Sequence, residues 1–277
     1  MAKIALAVLE SALRDRKLDR TLTTALPPLD RVDPAAYVPT GLPDLDAHLR
    51  SGVPRGQMSE IVGPRSSGRT TLALQLLAAA TRDGELVAFV DTFDRLDVAS
   101  LVAAGADLSR VLWIRGQAMS RTDAAIDPQG TRNLAESAGG RRLVGVRSAA
   151  VDSVVERTID RALKALNLVL QAGGFGIVVL DLADAPPVAL QRLPFTTWLR
   201  VQRAVESRDT ACVLMASAPV SRSAGGVTLS LAGRTTWEGT TDRSRRVSGG
   251  DMQVRVVSPR RRVDGDVRVG TVVREAC

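Results

Sequence analysis

The residues from Gly63 to Thr70 have the types and the spacing of a loop that binds phosphate groups. In the pattern G-x-x-x-x-G-K-[ST], glycines let backbone amides wrap the phosphates, lysine reaches the β and γ phosphates, and the hydroxyl holds magnesium. Gly63, Gly68 and Thr70 fit this pattern, but Arg69 stands at the lysine position. Arginine is longer, planar and forked, so it is a poor replacement in a slot shaped around a compact ammonium. We therefore predict a phosphate loop without catalytic function.

One acid joins the loop in the candidate phosphate site. The cofactor-binding candidates are Gly63, Ser66, Ser67, Gly68, Arg69, Thr70, Thr71 and Asp181. Asp181 ends an apolar run, at the place of a magnesium-binding aspartate, but an aspartate there also caps the turn that follows a strand. The second interpretation is slightly favoured. We expect no catalytic residue, no metal site and no resident cofactor, with ATP and magnesium as weak ligands at most.

Arginine supplies almost all of the positive charge, since lysine occurs only at Lys3, Lys17 and Lys164. The chain has 37 Lys and Arg against 30 Asp and Glu, for a net charge of +7. A basic surface predicts an anionic partner such as nucleic acid, although an arginine-rich coding bias would give the same composition. The candidate contacts to DNA or to an acidic partner are Arg243, Arg245, Arg246, Arg260, Arg261 and Arg262. Alternatively, these residues lie on a solvated sheet edge and discourage aggregation. Trp198 and Trp237 are better explained as core or interface residues than as base-stacking platforms.

The elements that position these residues fall into two regions. Within residues 1–39, apolar residues at helical spacing over 3–18 predict an amphipathic helix, and the prolines that follow predict a linker over about 22–39. This helix packs on its own domain or docks on a neighbouring protein, and the sequence leaves both open. Residues 40–277 alternate strand and helix patterns, which predicts one core domain.

The core region predicts an α/β fold. Apolar runs such as 86–91 and 175–181 end in an acid and are typical of buried parallel strands, and 151–172 is a predicted amphipathic helix. Residues 116–148 are rich in Gly, Ser, Arg and Asp without clear periodicity, which predicts a long mobile insertion. Antiparallel strands are predicted at 227–237, 252–257 and 267–273. The expected architecture is a P-loop core with a mostly parallel twisted sheet, flanking helices and an antiparallel, basic C-terminal extension.

The order of these segments resembles that of the bacterial RecA recombinases. The residues that carry the likeness are Thr40-Gly41, Leu45-Asp46, Gly52-Val53-Pro54-Arg55-Gly56, the run from Glu60 to Leu72, Ala88-Phe89-Val90-Asp91 and Gly105-Ala106-Asp107-Leu108. The likeness is strong from residue 40 to residue 112. It implies a RecA-like core that binds ATP between subunits and single-stranded DNA through two loops.

The departures from the RecA pattern affect one function. Phe93 stands where the family has its catalytic glutamate, Ser100 where an aromatic residue stacks on adenine, and Ser217 where a glutamine senses the γ phosphate. Phe93 can neither orient nor activate water. With Arg69, four changes fall on one nucleotide site. The segment matching the second DNA loop is short, and Arg222, its only charged residue, is a further candidate contact to DNA or to a partner.

A degenerate, shortened RecA relative with an arginine-rich tail resembles the ImuA family, the RecA-like accessory proteins of bacterial damage-tolerance mutasomes. This resemblance implies a non-catalytic adaptor in SOS-induced translesion synthesis. Its implied partners are an inactive Y-family polymerase homologue, ImuB, and an error-prone replicative-type polymerase. RecA itself and single-stranded DNA are further candidate partners.

Two other functions stay open. One is an active RecA-superfamily, DNA-dependent ATPase that uses Arg69 and an acid such as Asp94, and the other is a RecA-like cell-division regulator.

No apolar stretch approaches the roughly 20 residues of a membrane-spanning helix, and the start does not resemble a signal peptide. Cys212 and Cys277 give no disulfide framework. We therefore expect a cytoplasmic protein without a membrane partner.

Overall fold

The protein is described here by a computed structural model. The residues that it describes are 33–49, 51–117, 141–206, 208–221, 225–241, 243–244, 246–257 and 266–272. The chain divides into two compact units, residues 1–33 and 34–277, and the elements below belong to the second. The predicted helix over 3–18 lies outside the described residues. So do five of the candidate arginines, Arg222, Arg245, Arg260, Arg261 and Arg262.

Within the described residues, the centre of the molecule is a sheet of eight strands in the order β10-β9-β8-β3-β7-β6-β4-β5. All neighbours from β8 to β5 pair in parallel, and β8, β9 and β10 pair antiparallel. The strands are β3 (Met58–Val62), β4 (Val87–Asp91), β5 (Val111–Arg115), β6 (Ile177–Asp181), β7 (Ala211–Ala216), β8 (Thr228–Glu238), β9 (Arg246–Val257) and β10 (Asp266–Val272). The predicted α/β fold, with a mostly parallel sheet and an antiparallel extension, is confirmed.

Helices cover both faces of the parallel part of the sheet, which explains its continuous apolar strands. The helices are α1 (Pro43–Leu49), α2 (Arg69–Arg82), α3 (Val98–Ala103), α4 (Arg141–Ala172), α5 (Pro187–Gln191) and α6 (Phe195–Val205). Phe89 points into the core formed with α1, α2 and α3, whereas its neighbours Ala88 and Val90 point into the core formed with α4, α5 and α6. None of the helices in the described part of the chain is long and apolar enough to cross a bilayer.

Two predicted boundaries differ from the structure. The predicted linker over 22–39 ends earlier, because Tyr37 and Val38 form strand β1 (Tyr37–Val38), which pairs with β2 (Val53–Pro54). Val38 is fully buried there. The predicted insertion over 116–148 is also shorter, because α4 begins at Arg141 instead of Val151. Residues 118–140 of that insertion lie outside the described residues.

Candidate functional site

The loop between β3 and α2 has the backbone geometry of an anion-binding turn. Ser66 and Gly68 both adopt left-handed conformations, with φ of 60° and 93°. Gly68 is the residue before the helix, and no side chain caps the first amides of α2. Those amides have no partner within the helix and carry its positive dipole end, so they favour a bound anion. The loop therefore keeps the shape that its sequence predicts.

The antiparallel ribbon of β8 and β9 packs directly on this loop. A Cβ placed on Gly68 would lie 2.6 Å from the sulfur of Met252, and one placed on Gly233 would lie 2.9 Å from the carbonyl oxygen of Ser67. Both glycines are thus required by close approach, and Gly68 also by its left-handed backbone. One wall of the loop is therefore formed by the apolar side of the C-terminal extension.

Arg69 is buried in the loop instead of reaching into open space. Its exposed fraction is 7%, and its Nη1 atom has no hydrogen-bond partner in the described part of the chain. Burial lowers the pKa of Arg69, and the nearby carboxylates of Asp181 and Asp184 offset part of that effect. The hydroxyl of Ser67 is likewise buried, at 2% exposure, without a hydrogen-bond partner among the described residues. These two groups and the free amides would suit a small anion.

A second acid, Asp184, connects three loops at this edge of the sheet. Its carboxylate accepts a hydrogen bond from Arg65 Nη2 at 3.0 Å and pairs with Arg95 Nε at 3.2 Å. Arg65 belongs to the phosphate loop, and Arg95 follows β4. Asp184 was not predicted as a site residue, because an acid in a turn after a strand has no distinctive sequence signal. It supplies the negative charge that the loop arginines meet in this fold.

Asp181 lies at the end of β6, close enough to Arg69 to interact electrostatically. Burial raises its pKa to about 6, with smaller raising contributions from Asp91 and Asp184, while the amide of Ala183 and the charge of Arg69 act in the opposite direction. The Ala183 amide donates to Oδ1 at 2.8 Å, which is the turn-capping contact that the sequence favoured. Protonation of Asp181 therefore competes with cation binding near and below about pH 6.

The positions that depart from the RecA pattern hold other contacts. Phe93 is 5% exposed and packs in the apolar core with α4. Ser100 is exposed on α3, and its hydroxyl donates to Asp97. The alternative acid Asp94 forms two hydrogen bonds of 2.8 Å with Arg115, and these lower its pKa. Asp94 is therefore engaged, and it lacks the raised pKa of a general base poised near neutral pH.

Two further acids, Asp91 and Glu60, are buried and accept hydrogen bonds from backbone amides and from side chains. Asp91 accepts from the amides of Arg95 and Leu96 at 2.8 Å and from the indole of Trp113 at 3.1 Å. Glu60, 1% exposed, anchors the chain after β7. Its Oε1 accepts from the amides of Val220 and Ser221 at 2.9 and 2.8 Å. The role of Glu60 was missed because a lone acid inside a strand usually points to solvent.

The remaining candidates lie in two places. Thr70 and Thr71 are exposed at the start of α2, next to Arg69. Arg243 and Arg246 are exposed at the end of the β8–β9 hairpin, away from the parallel strand ends, and Arg246 pairs with Glu238 at 3.3 Å. The phosphate-loop candidates and Asp181 are thus brought together, whereas the described arginine candidates form a separate surface.

The groups present do not fit a magnesium–nucleotide complex. Asp184 engages Arg65 and Arg95, Arg69 is buried beside two carboxyls, and Asp181 accepts from the Ala183 amide in a turn-capping contact. Phe93 offers no oxygen or nitrogen to position water. The unpartnered Arg69 Nη1 and Ser67 hydroxyl do fit a bare anion. We derive no hydrolytic step from this arrangement.

Fold and loop together define a RecA-like P-loop protein. Residues 29–131 match the family model of the RecA N-terminal domain. The chain is 44% identical over 82 residues to the protein RecA of Nautilia profundicola, covering 29% of this chain and 23% of that protein. It is 47% identical over 79 residues to RecA of Rubrobacter xylanophilus, covering 28% and 23%. To RecA of Picosynechococcus it is 35% identical over 120 residues, covering 43% and 30%.

These matches support a relationship with the RecA superfamily. They span less than a third of the length of each of these RecA proteins. The matched region contains β3, the phosphate loop, α2, β4 and β5, so it includes most of the groups described above.

Proposed function

We propose that this chain is a non-catalytic, RecA-like accessory protein of an SOS-induced translesion-synthesis mutasome. In this role it binds a Y-family polymerase homologue of the ImuB type, with RecA and single-stranded DNA as further partners. The RecA scaffold then serves as a binding framework, and its phosphate loop no longer drives a nucleotide cycle.

The observation that carries the proposal is the burial of Arg69 and Phe93 beside the phosphate loop. In a P-loop ATPase the cation beside the last glycine meets the β and γ phosphates. Here Arg65 meets Asp184 and Arg69 lies buried beside Asp181 and Asp184. Phe93 is part of the apolar core. Loss of the water-positioning group and burial of Arg69 both disfavour phosphoryl transfer.

The first test is nucleotide turnover by the purified chain with single-stranded DNA. We expect no DNA-stimulated release of phosphate from ATP, for the wild-type chain and equally for Arg69→Lys, because lysine alone restores no water-positioning group. The matched control is Arg203→Lys, on the exposed side of α6. Turnover by the wild-type chain that rises with DNA and is lost in Arg69→Ala would establish the ATPase alternative and contradict the proposal.

The second test addresses the partner. The tagged full chain is used as bait in extracts of DNA-damaged cells, and the captured proteins are identified by mass spectrometry. Recovery of a Y-family polymerase homologue, repeated with the two purified proteins, supports the accessory role. Recovery of division proteins alone, with no binding between the purified pair, contradicts it and favours a cell-division regulator.

A further inference from the structure

The hairpin tip, defined as residues 235–241, 243–244 and 246–248, extends beyond the described strands that flank it. Strand β3 pairs with β8 only over Thr228–Ser230, and β10 pairs with β9 only as far as Gly249. Beyond that point the Trp237–Val247 and Glu238–Arg246 pairs join β8 to β9 alone within the described residues. This part of the ribbon has two open edges and two solvated faces.

Trp237 exposes most of its ring at this tip. Its exposed fraction is 57%, whereas Trp198 is 4% exposed in the core, and Trp113 is partly covered by Arg115, whose guanidinium lies 4.7 Å from the ring centroid. The sequence favoured a core or interface role for Trp237, and a core role is wrong. An indole that stays in water leaves a large apolar surface available to a ligand.

Residues with cationic and hydroxyl side chains lie near Trp237 in the sequence. Arg243 is exposed and makes no ion pair within the described part of the protein. Its turn is held by Ser244, whose amide donates to the Thr241 carbonyl at 3.0 Å, and by the Thr241 amide, which donates to the Ser244 hydroxyl at 3.0 Å. The turn thus holds the backbone around Arg243 while its guanidinium stays in solvent.

We infer that the hairpin tip binds single-stranded nucleic acid, with Trp237 stacking on an unpaired base and Arg243 contacting a phosphate. Base stacking needs only one free ring face and tolerates any base, and guanidinium groups match phosphate oxygens. Duplex bases are already stacked and do not offer that face. The inference rests on the proposed function for its setting, because an accessory protein at a damaged template meets single strands.

A protein partner fits this tip less well. A stable protein interface buries about 800 Å² on each side and places its aromatic anchor in an apolar, water-excluding surround. Among the tip residues whose side chains the structure describes, five carry hydroxyls instead. These are Thr236, Thr240, Thr241, Ser244 and Ser248. A narrow ribbon of this composition suits stacking and polar contacts to a nucleic-acid backbone.

The test measures binding of a fluorescein-labelled 20-nucleotide oligothymidylate to the purified full chain by anisotropy, without nucleotide or partner. Trp237→Ala is expected to weaken binding about ten-fold, within the range for loss of one stacked base. Trp237→Phe keeps a ring and is expected to retain most of the affinity. Arg243→Ser should reduce the slope of log affinity against log salt by about 0.7, as for one phosphate contact on a single strand. The control is Leu199→Ala with Arg203→Ser on exposed α6, where binding should not change.

Tryptophan emission gives a second readout, because Trp237 is the most exposed of the three indoles. Oligothymidylate should quench the wild-type emission but leave that of Trp237→Phe unchanged. The inference is overturned if Trp237→Ala binds the oligonucleotide with the affinity of the wild type. It is also overturned if Trp237→Ala loses binding to the polymerase homologue alone and keeps binding to the oligonucleotide. Failure to capture any polymerase would sink the proposed function and leave this measurement intact.

Discussion

Asp184 determines at the residue scale how the phosphate loop uses its charge. Arg65 is 63% exposed and Arg95 36% exposed, so neither ion pair taken alone contributes more than about 1 kcal/mol. Their effect is geometric, because both cations converge on one carboxylate from two different loops. The sequence shows that Arg69 is unsuited to the lysine slot. It does not show which acid the loop cations meet, since that depends on how the loops fold together.

Asp181 is expected to make stability depend on pH. Its pKa in the folded protein is raised to about 6, from about 3.9 in an unfolded chain. The folded state therefore binds more protons between these values, so the contribution of Asp181 to stability is greatest below about pH 4 and is lost as pH rises through 6. Asp181→Asn removes this loss while its amide oxygen still accepts from Ala183. Between pH 4 and pH 7, the unfolding free energy of the variant should rise by up to about 3 kcal/mol relative to that of the wild type.

Urea denaturation at both pH values measures this difference. The control is Asp152→Asn, which removes an exposed carboxylate on α4 and should show no comparable change. A constant difference in unfolding free energy between Asp181→Asn and wild type at pH 4 and pH 7 would show that Asp181 ionises normally.

Gly68→Ala tests the contact between the ribbon and the loop. An added Cβ at Gly68 meets the Met252 sulfur, whereas one at Gly84 has nothing within 4 Å, although both residues have positive φ, 93° and 87°. Gly84→Ala therefore reports backbone strain alone, about 1 kcal/mol. Gly68→Ala adds overpacking and should cost about 1–3 kcal/mol more in urea denaturation. Equal losses for the two variants would mean that Met252 does not press on the loop.

At the scale of elements, Glu60 links strand β3 to the chain that leaves β7. One buried carboxylate accepts two backbone amides and also lies 3.3 Å from the Thr228 hydroxyl, at the start of β8. It thus fixes both ends of the segment between β7 and β8.

Glu60→Ala should leave two amides without their acceptor and cost about 2–4 kcal/mol of unfolding free energy. Glu60→Gln keeps a carbonyl oxygen in the same place and should cost clearly less. Hydrogen exchange at the Val220 and Ser221 amides provides the local measurement, and both should exchange faster in Glu60→Ala. Unchanged exchange at these amides would show that other contacts hold the segment.

The sequence predicted some elements and missed others, because different interactions determine them. The parallel strands were predictable because burial on both faces demands a continuous apolar run, as in 177–181. Strand β1 was missed because its two residues follow prolines and gain their structure only by pairing with β2. The early start of α4 was missed because arginines and glycines at 141–148 obscure the helical period. Trp237 looked like a core residue because the neighbouring sequence does not show that the β8–β9 hairpin extends beyond the end of β10.

At the scale of the whole molecule, one arginine ties the sheet together at the edge opposite the phosphate loop. Arg55 donates to the carbonyl oxygens of Ala35, Gly176 and Asp209 at 3.0, 3.2 and 3.2 Å, and it pairs with Glu85. These partners precede β1, β6, β7 and β4 along the chain. Its side chain is 11% exposed. The amino ends of four strands are thus joined by one guanidinium, and the carboxyl ends stay available for the loops.

Arg55→Lys keeps the charge but cannot reproduce this fan of contacts, because an ammonium has three donors at one point and no planar fork. We expect a loss of about 2–4 kcal/mol in unfolding free energy, since buried carbonyls and Glu85 lose charge-assisted partners. Arg203→Lys on exposed α6 is the matched control and should stay within about 0.5 kcal/mol of wild type. Arg55 lies far from Gly68 and Met252. The losses in unfolding free energy of Arg55→Lys and Gly68→Ala should therefore add in the double variant. A loss below about 1 kcal/mol, or strong non-additivity, would mean that the two edges of the sheet are not independently stabilised.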